Sequence, residues 1–118
     1  MSPWVYNPHA GGVTIPPEVR RRTERRIRAY ADARYAGRFK RLDVRFRGAL
    51  CYIDASIDDP ASVPLHLCRL RYFRQEDAWS LAFYTYSHEK YEPCLFRNGT
   101  FQGTPEEAFD MAAIYLDA

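Results

Sequence analysis

Two changes of hydrophobic period divide this chain and leave few folds open to it. From Val19 to Arg34, the residues Val19, Thr23, Ile27, Tyr30, Ala31 and Arg34 recur at three- and four-residue steps, the pattern of one helical face. From Leu42 the period falls to two: Leu42, Val44 and Phe46 alternate with Arg41, Asp43, Arg45 and Arg47, as in a half-buried strand. Near Thr104 the helical pattern returns, with Phe109, Ala112, Ala113 and Leu116 on one side. Helix, strands, helix in that order predicts an α+β domain: an N-terminal helix, an antiparallel meander sheet of five to six strands and a C-terminal helix. Both helices are expected on one sheet face, leaving the other face open.

The punctuation agrees with the periods. Pro16 and Pro17 suit a helix start, where the first N–H groups lack partners anyway, and Gly37 suits its end. Arg47-Gly48 is read as a two-residue turn, which places Val44 opposite Cys51, Leu42 opposite Ile53 and Arg41 opposite Asp54. Residues 58–64 read as a loop. Arg74 to Asp77 form a four-residue turn that sets Tyr72, Leu70 and Cys68 across from Trp79, Leu81 and Phe83. A turn at Ser87 to Lys90 leads to Tyr91, and Pro93 cannot donate to a ladder. Asn98-Gly99 predicts a hairpin back through Thr100-Phe101, and Thr104-Pro105-Glu106-Glu107 is a capping box. Residues 1–13, with two Pro and two Gly, read as an extended arm ahead of a single domain over 14–118.

Charge is distributed very unevenly. Residues 1–47 carry twelve Lys and Arg against four acids, a formal +8, and the remainder carries five against eleven, a formal −6. Arg20, Arg21, Arg22, Arg25 and Arg28 make a basic helix that suits a nucleic acid or an acidic partner, although no helix-turn-helix, zinc-finger or single-strand-binding signature accompanies them. Cys51, Cys68 and Cys94 are odd in number and lack C-x-x-C spacing, so reduced, buried thiols in a cytoplasmic protein are expected. Neither an apolar run of membrane-spanning length nor a secretory pattern at Met1 to Tyr6 is present.

Strand alternation sorts a distinctive set onto the open face: Leu65, Leu67, Arg69, Arg71, Tyr84, Tyr86 and Tyr91, with Arg45, Tyr52 and Asp54 beside them. Such a patch marks a contact surface. A second copy of the chain would bury the tyrosines and leucines, whereas a single-stranded nucleic acid would stack bases on the tyrosines and place phosphates on Arg45, Arg69 and Arg71. His66 and Cys68, two apart on one strand, share a face and raise a third reading, a small enzyme or ligand binder using a thiol and an imidazole. That side is the expected core, where a free Cys serves as a small hydrophobe. No catalytic set, metal-ligand spacing or phosphate loop is assigned, and no cofactor is expected.

The segments Phe46–Ala55 (Phe-Arg-Gly-Ala-Leu-Cys-Tyr-Ile-Asp-Ala), Trp79–Tyr86 and Thr104–Phe109 together resemble a group of small uncharacterised bacterial proteins, over roughly residues 14–116. The order helix, Trp-x-Leu strand, Tyr-Glu-Pro is similar, more loosely, to a second bacterial domain of unknown function. The resemblance implies a bacterial, cytosolic protein and carries over no activity or site. The expectation is a non-enzymatic interaction module, a homodimer through the open face. The alternatives are a nucleic-acid binder using the basic helix with Arg69 and Arg71, and a ligand binder or enzyme around His66 and Cys68.

Overall fold

Helix α1 (Pro17–Arg34) starts where Pro17 fills the first helical position after an extended Pro16. It buries Val19, Thr23, Ile27 and Ala31, a straight four-residue stripe. Arg34, read from its spacing as part of that stripe, is exposed and lies over the Tyr30 ring instead. The helix closes with Tyr35 N–H donating to the Ala31 carbonyl, and Gly37 turns the chain at φ +81°. The computed structural model describes residues 11–57 and 63–117. Most of the arm and of the 58–64 loop therefore fall outside the described residues. Gly11 to Val13 lie against the sheet: Val13 N–H donates to the Tyr72 carbonyl at 3.0 Å, and a Cβ on Gly12 would stand 2.8 Å from that same oxygen.

Strands β1 (Arg41–Arg47), β2 (Leu50–Ser56), β3 (Leu65–Arg71), β4 (Ser80–Thr85) and β5 (Lys90–Cys94) form one antiparallel sheet in the order β1-β2-β3-β4-β5. The first turn is Gly48-Ala49 rather than Arg47-Gly48, with Gly48 at φ +60°; Phe46 faces Cys51 and Val44 faces Ile53. Slipping the register by a two-residue step keeps every side chain on its expected face but changes its neighbour. Asp54 consequently lies opposite Asp43, not Arg41. The β3–β4 turn behaves as read, with Leu70 opposite Leu81. Tyr72 packs on Trp79 with ring centroids 5.0 Å apart.

Among the described residues no sixth strand follows β5. The chain makes a tight turn at Asn98-Gly99, with Phe96 N–H donating to the Thr100 carbonyl, and its backbone then meets Trp79 in an isolated bridge at Gly103. Gly103 is obligatory there, since a Cβ would stand 2.4 Å from the buried Phe96 ring. The capping box then forms as read: Thr104 Oγ1 accepts from Glu107 N–H, and Glu107 Oε1 accepts from Thr104 N–H. Helix α2 (Pro105–Ala112) buries Ala108, Phe109 and Ala112, and a short 3-10 segment, Ala113–Asp117, adds Leu116.

Both helices cover one face of the sheet, and the core lies between them and Cys51, Ile53, Cys68, Leu70, Trp79 and Leu81. Polar clamps tie the helices together. Asp110 of α2 accepts from the Tyr30 and Tyr35 hydroxyls at 2.6 Å each, and burial, then the bond to Asp110, pushes Tyr35 up to about 12. Arg26 donates to Glu106 at 2.9 and 2.7 Å and to Asp77 at 2.9 Å.

Candidate binding face of the sheet

β2 and β3 pair regularly from Leu50–Arg71 to Ile53–Cys68, then skip: Asp54 faces His66, and Leu67 is unpaired. This is a β-bulge, and it inverts the phase of everything before it on β3. Leu67 becomes fully buried in the core, and Leu65 packs against that core beside Ala55. Both therefore leave the open face on which simple alternation places them. His66 crosses to the open face in exchange. The cause is legible in Leu65-His66-Leu67-Cys68-Arg69-Leu70, which holds two alternation frames, Leu65/Leu67 and Cys68/Leu70. Only an extra residue between them buries both frames, and each fully buried leucine contributes about 1.5–3 kcal/mol.

The face that results is aromatic and basic. Asp54 is buried at its centre, its Oδ2 accepting from Arg45 Nη2 at 2.7 Å and its Oδ1 standing 3.1 Å from His66 Nδ1. Around this pair the rings form a continuous cluster. His66 lies 4.6 Å from Tyr84 and 6.2 Å from both Tyr86 and Tyr91, and Tyr52 lies 5.6 Å from Tyr91. Tyr84 meets Tyr91 at 5.2 Å, because the two face each other across β4 and β5. The Tyr86 hydroxyl accepts from the backbone N–H of His66 at 3.3 Å, which ties the end of β4 back to β3. Two arginines lie over these rings, Arg45 at 5.3 Å from Tyr52 and Arg69 at 5.0 Å from Tyr91. Burial, and after it the charge of Asp54, pushes the Tyr91 hydroxyl well above the usual phenol range. The cluster is partly sunk: Ser80 and Ala82 beside it are buried, whereas Tyr86 is 58% exposed. Five arginines (41, 45, 47, 69 and 71) against two aspartates (43 and 54) give this face a formal +3.

The basic helix sits on the other side of the sheet and is partly neutralised by its own chain, at Arg22, Arg26 and Arg28. Arg22 makes a two-point pair with Glu76, both bonds at 2.9 Å. Arg28 bonds Glu24 and the Leu42 carbonyl, and Arg20 bonds the Ile15 carbonyl and lies over Phe46. Arg21 and Arg25 alone of the five candidates point outward without such a bond among the described residues. The sheet separates them from Arg69 and Arg71, so the basic helix and the open face do not form one surface.

The pairing of His66 with Cys68 does not occur. The bulge puts the imidazole outside and the thiol in the core, fully buried, where burial pushes the thiol well above its ordinary range. Cys51 is likewise buried with its thiol pushed up by burial, and Cys94 is half-buried. The partner of His66 is Asp54, which the simple alternation of β2 already placed on the open face. Among the described residues no group of three or more His, Cys, Asp or Glu side chains is placed to hold a metal ion, and no helix is long and apolar enough to cross a membrane. No protein-family model, no curated protein and no solved structure matches the chain. Function is therefore read from its own side chains.

Proposed function

We propose that the protein is a non-enzymatic binding module that takes a single-stranded nucleic acid on the open face of its sheet. The observation that carries this is the tyrosine cluster with Arg45 and Arg69 standing over its rings. Every nucleobase has a π-face to stack, and a phosphate backbone is drawn to a face of formal +3. The departure of Leu65 and Leu67 into the core takes two leucines from this surface, which favours stacking over a greasy self-interface. Two copies meeting face to face would also oppose like charges.

Self-association remains the second reading, supported by the exposed Tyr86 beside the partly buried Tyr84, since tyrosine and arginine are the side chains that anchor protein interfaces. One pair of experiments separates the two. Fluorescence anisotropy with a labelled single-stranded oligonucleotide should show binding that weakens steeply between low and physiological salt. Tyr84→Ser with Arg69→Ala should weaken it by about 10- to 100-fold, since stacking contributes about 1–3 kcal/mol per base. Arg21→Ala with Arg25→Ala should change it little. An oligonucleotide that stays unbound at low salt, from a protein that sediments as a dimer broken by Tyr84→Ser, overturns the first reading in favour of the second.

A further inference from the structure

From the arrangement around His66, and resting on the single-strand reading above, we infer that the open face selects RNA over DNA, with His66 Nε2 accepting a hydrogen bond from a ribose 2′-hydroxyl. A carboxylate can only accept, so the neutral form of an imidazole facing Asp54 Oδ1 carries its proton on Nδ1 and presents Nε2 as a bare acceptor. Asp54 is itself immobilised. It is 5% exposed, and Arg45 holds its second oxygen at 2.7 Å. The ring is fixed on its other sides by Tyr84 at 4.6 Å and by Tyr86, nearly parallel to it at an interplanar angle of 20°. The imidazole side of this pair stays open, at 34% side-chain exposure against 8% for Asp54, and among the described residues Nε2 has no hydrogen-bond partner.

An acceptor fixed in a stacking platform meets whatever donor travels with a stacked base. The sugar is attached to that base, and in RNA it brings a 2′-hydroxyl able to donate, the group that lets a protein tell RNA from DNA. Deoxyribose has only hydrogen there and leaves Nε2 unsatisfied. The alternative donors, the amino groups on base edges, are common to both nucleic acids and would produce no discrimination. The preference expected from one such bond is about five- to tenfold, the size of a typical net hydrogen bond.

The test uses the full chain with a labelled ribo-oligonucleotide and the deoxyribo-oligonucleotide of the same base order, titrated at one salt concentration. The wild type should bind the ribo form about five- to tenfold more tightly. His66→Phe keeps an aromatic ring beside Tyr84 and removes both nitrogens, so the ratio of the two affinities should fall to about one, whatever the change common to both forms. Equal binding of both forms by the wild type overturns the 2′-hydroxyl contact while leaving the single-strand platform standing. A preference that survives in His66→Phe overturns it as well. Binding of neither form removes the platform, and this inference with it.

Discussion

The two faces of the sheet use the same residue types to opposite ends. On the covered side, arginines meet carboxylates of their own chain: Arg22 with Glu76, Arg26 with Glu106 and Asp77. Tyrosine hydroxyls there donate inward, Tyr30 and Tyr35 both to Asp110. On the open side, Arg45 and Arg69 lie over tyrosine rings, and one buried carboxylate, Asp54, holds Arg45 and His66. On the covered side three helix arginines are thus matched by carboxylates while Arg21 and Arg25 point outward, and on the open side arginines stand among rings. A dense arginine run is therefore a poor guide to how much positive charge a fold leaves unpaired.

The comparison breaks first at Leu67. If the bulge has moved it to the covered side, Leu67→Ala should cost about 2–5 kcal/mol, the range for emptying a buried leucine site, measured as a fall in the urea midpoint. A cost below about 0.5 kcal/mol would return Leu67 to the open face and restore plain alternation.

Next is the clamp at Arg26, expected to contribute about 2 kcal/mol because its bonds are charge-assisted and half-buried. Its pH dependence has a definite sign. The hydrogen bond from Arg22 lowers Glu76; burial pushes Glu106 up, but the bond from Arg26 and its place in the first turn of α2 leave it below the usual range. Carboxyls lowered in the fold contribute stability above their unfolded value, near 4.5, and lose it as pH falls through their folded values. Acid titration of the wild type should show this loss, and Arg26→Ala should shrink it.

The smallest effect lies at the alkaline end. Tyr35, raised from 10.0 to about 12 by burial and then by Asp110, contributes stability that is complete below pH 10 and declines toward 12. Tyr35→Phe should flatten that limb.

Much of this was legible beforehand where the signal is local. Thr104 and Glu107 satisfy each other's backbone within one turn of helix, and the stripe from Val19 to Ala31 needs only the helical period. The first hairpin differs from its expected pairing by a single turn position because Gly48 fits either place in a two-residue turn, and the shift leaves the faces intact. Simple alternation passes over the bulge although its mark, two apolar frames out of step between Leu65 and Leu70, stands in the sequence. The partners of the arginines were not legible at all: Arg26 finds Glu106 across a separation of 80 residues, which no spacing rule encodes.

The unpaired leucine has one more consequence, for how this surface could change over generations. Removing that single residue would only make the ladder regular, since Ile53 already faces Cys68 and Asp54 already faces His66. The imidazole would stay outdoors, and the interior would lose one aliphatic chain. Whether the strand carries its leucine as a surplus residue or as a paired one decides which side of the sheet owns the histidine.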